Sequence, residues 1–314
     1  MWRSAGGTYI YDFPQSIDKK PGHWNTSKIV RESTAKQSTR GLLEYEDTTF
    51  GPKKFQYTTP ILSISNNWLT CPAEQLASRS FHFLESPSEL EHRISTILKM
   101  RDEAGIKERP LIIWEPSPLS CKSENLAACL KAVRLVDVFS PNHLELLTLC
   151  GESPDLASDK AKLEVLALKF LEEGRVGPEG AGTVVIRATE HGCMIRSCDM
   201  SPTWMPPYYQ PEPGAQAQPK TSKVVDPTGA GNAFLGAYAI GLLKPDGNHV
   251  QAACYGSVAA SFALEQVGIP KLIRDGGKEV WNGVSVISRL HEYASRLGIA
   301  TEGSSALEDP VPSG

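Results

Sequence analysis

Short apolar runs alternate with stretches of helical period along most of this chain, and this alternation restricts its fold more than any other feature. From Ser80 onward, stretches such as SELEHRISTILKMRDEAG place Leu90, Ile94, Ile97 and Leu98 on one helical face. The apolar runs between such stretches are SFHFLES, PLIIWEP, VDVFSPN and TVVIRA. Strands that alternate with helices form parallel sheets covered by helices on both faces. We therefore predict an α/β fold with a mostly parallel sheet, in which GCMIRS is a hairpin partner of TVVIRA.

Three parts of the chain depart from this alternation. Near the start, GLLEYEDTTFGPKKFQYTTP has β-branched and aromatic residues around a Gly-Pro turn, which predicts a hairpin. Residues 199–223 are rich in Pro and Gln and predict an ordered-to-flexible connector. We predict a partial N-terminal region at 1–79, an α/β core at 80–300 and a disordered tail at 301–314.

Charge and hydropathy exclude several classes of protein. The net charge of −4 argues against a nucleic-acid-binding surface. No apolar run reaches the roughly 18 residues that a membrane span needs. The start, MWRSAGGTYIYDFPQ, lacks the apolar core of a signal peptide, so we expect a cytoplasmic protein. The seven cysteines include no CxxC pair, which favours free thiols in a reducing compartment over a zinc site.

A glycine-rich turn late in the chain predicts an anion site. In VVDPTGAGNAFLGAYAIGLL, a strand ending at Val225 leads into a turn and then a long apolar helix. Gly229 and Gly231 permit close approach of the backbone, and the first turn of a helix offers unpaired N–H groups and the positive end of its dipole. The turn lacks the Lys of a Walker A loop, and Phe234 replaces the third Gly of a dinucleotide fingerprint. A tight strand-to-helix turn without a ligand remains the alternative.

This stretch resembles the C-terminal signature of the PfkB/ribokinase family of carbohydrate kinases, D-T-x-G-A-G-D-x-F. The resemblance implies a ribokinase-like three-layer α/β fold with a mostly parallel central sheet and a small N-terminal β hairpin that acts as a lid. It also implies that Gly229, Ala230 and Gly231 form the anion hole for the transferred phosphoryl group. Asn232 stands where the family has the Asp that accepts the proton of the substrate hydroxyl.

Further motifs in the family's order imply cofactor sites. Asn142 and Glu145 match the N-x-x-E pattern that the family associates with Mg²⁺–phosphate water networks, and Glu115 stands where Asp is usual. Asp226 and Thr228 are expected to support the glycine turn and to bind a monovalent cation such as K⁺.

The nucleotide-facing segment departs from the family pattern. VVIRATEHGCMI resembles the T-x-G-x-x-G strand that contacts nucleotide phosphates, but only Gly192 matches fully, and Arg187 replaces the Thr. CYGSVAASFALEQVGIP resembles the segment beside the adenine, so we expect Ser257 and Gly268 to face the nucleotide as well. A guanidinium at position 187 suits a bidentate phosphate clamp. Pairing of Arg187 with a surface carboxylate such as Glu190 is an equal alternative.

RGLLEYE and DPTGAGNAFLG also resemble a fungal branch of the family named for maintenance of killer virus particles. No apolar strand precedes Gly6 and Gly7, so we expect the family's opening strand–helix segment to be missing and the uncovered sheet edge to favour a homo-oligomer.

An amide at position 232 removes general-base assistance worth about 10²–10⁴-fold. The nearest substitutes by motif, His143 and His191, are expected to be loop or helix-surface histidines. The resemblance therefore implies an ATP- and Mg²⁺-dependent kinase, acting on a sugar or other small hydroxylated substrate, whose activity is weak or lost. A non-catalytic scaffold with the same fold, a pseudokinase, is the alternative.

Overall fold

The computed structural model describes residues 9–11, 28–30, 39–45, 53–60, 73–210, 223–275 and 278–299. The predicted tail at 301–314 and the predicted loss of an opening segment, which concerns Gly6 and Gly7, lie outside these residues. The division of the chain into three parts stays a prediction.

Twelve strands and eight α-helices lie in the described ranges. The strands are β1 Tyr9–Tyr11, β2 Lys28–Val30, β3 Gly41–Tyr45, β4 Lys53–Tyr57, β5 Ser80–Glu85, β6 Leu111–Pro116, β7 Val138–Phe139, β8 Thr183–Arg187, β9 Cys193–Ser197, β10 Thr203–Met205, β11 Leu272–Asp275 and β12 Lys278–Trp281. The helices are α1 Ala73–Leu76, α2 Pro87–Glu103, α3 Leu126–Ala132, α4 His143–Leu149, α5 Lys160–Lys169, α6 Ala230–Leu242, α7 His249–Leu264 and α8 Val286–Arg296.

The central sheet has six strands in the order β10-β9-β8-β7-β6-β5. The pairs β5–β6, β6–β7 and β7–β8 are parallel, whereas β8–β9 and β9–β10 are antiparallel. The predicted hairpin of TVVIRA with GCMIRS is confirmed as β8–β9. The connector prediction at 199–223 is wrong in part, because Thr203–Met205 pairs with β9 as an edge strand.

Helices cover both faces of the sheet, as the alternation along the sequence predicts. Consecutive residues of a strand point to opposite faces. Accordingly, Ile112 and Trp114 of β6 belong to the core beneath α2–α5, and Ile113 belongs to the core beneath α6–α8. The predicted apolar face of α2 is confirmed, since Leu90, Ile94 and Ile97 are buried. The result is a three-layer α/β/α arrangement.

A small antiparallel hairpin lies before the central sheet in the chain. Strands β3 and β4 pair with Gly41 opposite Tyr57, which confirms the predicted N-terminal hairpin. Two other two-stranded sheets, β1–β2 and β11–β12, were not predicted. In the part of the chain that the structure describes, no helix combines the length and apolar character needed to cross a membrane.

Candidate functional site

The carboxyl ends of three parallel strands meet two helix N-termini at one edge of the sheet. Glu115 lies near the end of β6, Arg187 ends β8, and Asn142 begins α4. A parallel backbone bridge joins Asn142 to Arg187. In open α/β sheets, ligands bind in the crevice outside the carboxyl ends of the strands. This edge is therefore the candidate site.

The glycine turn forms the N-terminus of α6 at this edge. Gly229 has φ +85°, a conformation that glycine adopts without strain, and Ala230 is the first helical residue. Asp226 Oδ1 accepts a hydrogen bond from Thr228 N at 2.9 Å and so shapes the turn. Among the described residues, no side chain caps the first turn of α6. The N–H groups at this end of the helix are oriented toward an incoming anion.

The segment before the turn differs from the prediction. Residues 224–227 are not a strand; Val225 N and Asp226 N both donate to the carbonyl oxygen of Leu264, at 2.7 and 3.2 Å. The end of α7 therefore holds this segment in place of a strand partner. Asn232 lies exposed on the first turn of α6, and its amide makes no hydrogen bond to any described residue.

Arg187 is the centre of an ionic network at the same edge. Its Nη1 donates to Glu115 Oε1 at 2.9 Å, and its Nη2 donates to the carbonyl oxygen of Ser140 at 2.9 Å. Glu145 Oε2 lies 3.6 Å from Nη2, and His82 Nε2 lies 3.2 Å from the other oxygen of Glu115. The suggested alternative pairing with Glu190 is wrong, because Arg187 pairs with Glu115 and Glu145.

The network is largely shielded from water. The side chains of Arg187, Glu115 and Glu145 are only 13%, 10% and 9% exposed. Burial opposes the ionisation of Glu115, but the charge of Arg187 and the contact with His82 outweigh it and lower the pKa of this carboxyl group. The Glu115 carboxylate is therefore expected to be ionised at neutral pH, with the Arg187 guanidinium as a compensating charge.

Gly231 brings the network into contact with the glycine turn. A Cβ atom placed on Gly231 would overlap Arg187 Nη1 and would lie 3.9 Å from Glu115 Oε1. Only glycine therefore allows the guanidinium to lie against the first turn of α6 as it does. A cation at a helix N-terminus is unfavourable by itself, so the two carboxylates are needed to hold it there.

Asn142 and Glu145 form a reciprocal cap on α4. Asn142 Oδ1 accepts from Glu145 N at 2.8 Å, and Glu145 Oε2 accepts from Asn142 N at 2.7 Å. The described residues contain no group of three or more His, Cys, Asp or Glu side chains arranged to hold a metal ion. Because the Glu145 carboxylate also faces Arg187, these two residues do not fit a magnesium ion coordinated directly by the protein.

The residues predicted to face a nucleotide lie in different surroundings. Gly192 has φ +78°, and a Cβ there would overlap the carbonyl oxygen of Met205. Ser257 is buried in α7. Gly268 is exposed, has φ +89° and has open space around it. The nucleotide roles of these three residues stay predictions, as does the K⁺ role of Asp226 and Thr228.

One of these two histidines differs from expectation. His143 is buried, not on a helix surface, and its Nδ1 lies 3.3 Å from the carbonyl oxygen of Arg187. Burial lowers the pKa of His143. His191 lies beside Glu190, 3.7 Å away. Sequence reasoning missed His82; the period-2 alternation of SFHFLE, which sets His82 apart from the aromatic face of Phe81 and Phe83, was the available signal.

Comparison with known proteins identifies one family and two similar fungal proteins. The family model described as pfkB family carbohydrate kinase matches residues 25–271. An uncharacterized protein of Schizosaccharomyces pombe is 31% identical over 303 residues, covering 95% of this chain and 81% of that protein. Protein MAK32 of Saccharomyces cerevisiae is 27% identical over 298 residues, covering 92% and 77%. The predicted resemblance to the fungal maintenance-of-killer branch is thus confirmed.

Solved structures agree in fold. Ribokinase from Giardia lamblia superposes with a TM-score of 0.62 at 14% identity, covering 92% of this chain and 82% of that one. Ribokinase from Arabidopsis thaliana, solved with ribose and ATP, gives a TM-score of 0.51 at 16% identity, covering 83% and 72%. These likenesses show the ribokinase-like fold. The chain belongs to the pfkB family of carbohydrate kinases.

Proposed function

We propose that this chain binds ATP at the N-terminus of α6 and that its phosphoryl transfer to a sugar or other small hydroxylated substrate is weak or lost. One observation carries the proposal: the first turn of α6 has no side-chain cap among the described residues, whereas its third residue is the neutral amide Asn232. The turn thus keeps the donors that bind a phosphate but lacks the carboxylate that would accept the proton of the substrate hydroxyl.

The binding half of the proposal rests on local charge. Gly229, Ala230 and Gly231 place backbone N–H groups and the positive end of the α6 dipole at the sheet edge. The Arg187 guanidinium lies against the same turn. Arg187 is our candidate for contact with a phosphate oxygen, since a guanidinium forms strong charge-assisted hydrogen bonds with phosphate.

The catalytic half rests on the neutral side chain at position 232. An amide nitrogen or oxygen does not accept a proton at neutral pH, so Asn232 can orient a substrate hydroxyl but cannot deprotonate it. Both oxygens of Glu115 are engaged, one by Arg187 and one by His82. Phosphoryl transfer depends mostly on positioning and charge stabilisation, so a slow reaction remains compatible with this site.

The test is ATP turnover by the full chain with a panel of sugars, nucleosides and polyols, for the wild type and Asn232→Asp. We expect slow or undetectable turnover in the wild type. A gain of about 10²-fold in Asn232→Asp would show that the missing base is the main defect. Asn248→Asp is the matched control, because Asn248 caps α7 and gives the same charge change at another helix N-terminus. Fast turnover by the wild type would refute the proposal.

A non-catalytic scaffold is the second candidate, and the position of Arg187 favours it. The guanidinium already fills the space next to Gly231, and its charge is shared by two carboxylates. A scaffold predicts no rise in melting temperature with ATP, whereas a nucleotide-binding protein is stabilised by mass action. Thermal unfolding with and without ATP and Mg²⁺ separates the two candidates.

Assembly and location are further parts of the proposal. Strand β5 ends the described six-stranded sheet, and an uncovered edge strand favours pairing with another copy. We therefore expect a homo-oligomer. We also propose that the protein is cytoplasmic and that its ligands are a nucleotide and a small sugar-like molecule. Light scattering of the purified chain tests the oligomer; a monodisperse monomer would contradict it.

A further inference from the structure

The Arg187 guanidinium is surrounded by oxygen atoms from three different elements. Glu115 on β6 and the carbonyl group of Ser140 after β7 each accept from it at 2.9 Å. Glu145 on α4 lies 3.6 Å from it. Two carboxylates and a carbonyl oxygen are the ligand types that a hard divalent cation prefers. Here they surround a protein side chain instead.

We propose that Arg187 is a built-in counter-cation that occupies the place of a divalent metal ion between Glu115 and Glu145. The consequence is that the candidate site holds a phosphate-bearing ligand without requiring a divalent cation; this second part rests on the proposed function. The first part concerns only the protein's own charges and stands independently.

The charges near Gly231 are consistent with this role. Glu115 and Glu145 are acidic side chains in a region with little access to water, and Arg187 carries one positive charge. The guanidinium, with the positive end of the α6 dipole beside it, compensates these two side chains.

Other groups also hold the two carboxylates in place beside Arg187. His82 Nε2 lies 3.2 Å from the second oxygen of Glu115. The backbone N–H of Asn142 donates to Glu145 Oε2 at 2.7 Å. A divalent ion would have to displace Arg187 to reach both carboxylates at once. Removal of the guanidinium should therefore create affinity for a divalent ion that the wild type lacks.

The experiment measures Mn²⁺ binding without nucleotide, from the loss of the electron paramagnetic resonance signal of free Mn²⁺. The proteins are the full-length wild type, Arg187→Gln, and the control Arg289→Gln. Arg289 is also buried, and its Nη2 lies 2.8 Å from Glu265, but that pair has only one carboxylate. We expect Mn²⁺ to bind Arg187→Gln at least about tenfold more tightly than it binds either of the other proteins.

Each outcome of the Mn²⁺ titration decides the first part. Tight Mn²⁺ binding by the wild type that Glu145→Gln abolishes would overturn it, because the carboxylates would then accept a metal beside Arg187. Equal weak binding by Arg187→Gln and Arg289→Gln would also overturn it and leave Arg187 as an ordinary structural ion pair. If Arg187→Gln folds only when Mn²⁺ is added, the metal replaces the missing charge and the proposal is supported.

The second part is tested by thermal unfolding of the wild type with ADP, in the presence of EDTA or of Mg²⁺. We expect ADP to raise the melting temperature by a similar amount in both solutions. Stabilisation that requires Mg²⁺ would overturn metal-independent binding but leave the proposed function intact. If neither ADP nor ATP stabilises the protein in either solution, both the proposed function and this second part fail. The Mn²⁺ result still decides the role of Arg187.

Discussion

Replacing Arg187 by methionine should destabilise the protein strongly, because it leaves two buried carboxylates without their cation. The side chains of Glu115 and Glu145 are 10% and 9% exposed, so water cannot compensate either charge well. Removal of one partner of a buried ion pair costs about 3–5 kcal/mol. We expect the free energy of unfolding of Arg187→Met at pH 7.5 to fall by this amount, measured by urea denaturation.

The loss should shrink as the pH is lowered toward 5. In the wild type, the pKa of Glu115 is lowered, so its contribution is fully present above the ordinary value of 4.5 and is lost only as the pH falls through the lowered pKa. Without Arg187, burial, the largest influence on this carboxyl group, is opposed only by the contact with His82, and we expect the pKa of Glu115 to rise above the ordinary value. The folded variant then binds a proton before its unfolded chain does, and it gains stability as the pH falls.

The matched control is Lys107→Met, which removes a cation from an exposed pair. Lys107 and its partner Asp102 are 75% and 70% exposed, so the expected loss is below about 1 kcal/mol and does not share the pH dependence of Arg187→Met. A loss below about 1 kcal/mol for Arg187→Met, or an equal loss at pH 7.5 and pH 5, would refute the view that two desolvated carboxylates depend on this guanidinium.

Three further predictions concern single positions. Gly192→Ala should lower the free energy of unfolding by about 2–4 kcal/mol, because a positive φ and overlap with Met205 act together. Gly268→Ala, with positive φ and open space, should lower it by about 1–2 kcal/mol. Equal losses for the two variants in urea denaturation would contradict this prediction. Asn232→Asp should stabilise the chain by about 0.3–1 kcal/mol at low salt, because it puts a negative charge in the exposed first turn of α6, and an unchanged urea midpoint would contradict this. Cys198→Ser should remove one rapidly reacting thiol in a titration with Ellman's reagent, since Cys198 is the exposed cysteine among those described; an unchanged fast phase would show that it is protected.

The layered fold was predictable because its signals are local. Short apolar runs and stretches of helical period follow each other from Ser80, and most of them form the expected element. The errors also have local causes. Thr203–Met205 lies in a Pro-rich segment that hides its pairing with β9. Val224 and Val225 look like a strand, but the carbonyl oxygen of Leu264 takes the place of a strand partner.

The candidate site was predictable only in part. The glycine turn is evident in the sequence, because Gly229 and Gly231 flank Ala230 in a short motif at a helix start. The burial of His143 was not evident, because it depends on β8 lying beside the start of α4. Asn142 and Glu145 were recognised as a pair, but their mutual hydrogen bonds show a helix cap as well as a motif.

The sequence by itself determined the alternating elements, the glycine turn and the neutral residue at position 232, since each depends on residues close together in the chain. Only the tertiary structure decided what Arg187 does. Its partners Glu115 and Glu145 belong to other elements, and nothing in their local sequences indicates that β6 and β8 end, and α4 begins, at one point. Parallel register and side-chain direction bring the three charges together, and the missing side chain of Gly231 lets them meet the turn. The pairing of Arg187 with the two carboxylates depends on the packing of the layers, because packing buries these groups and burial makes a charged group depend on an opposite charge beside it.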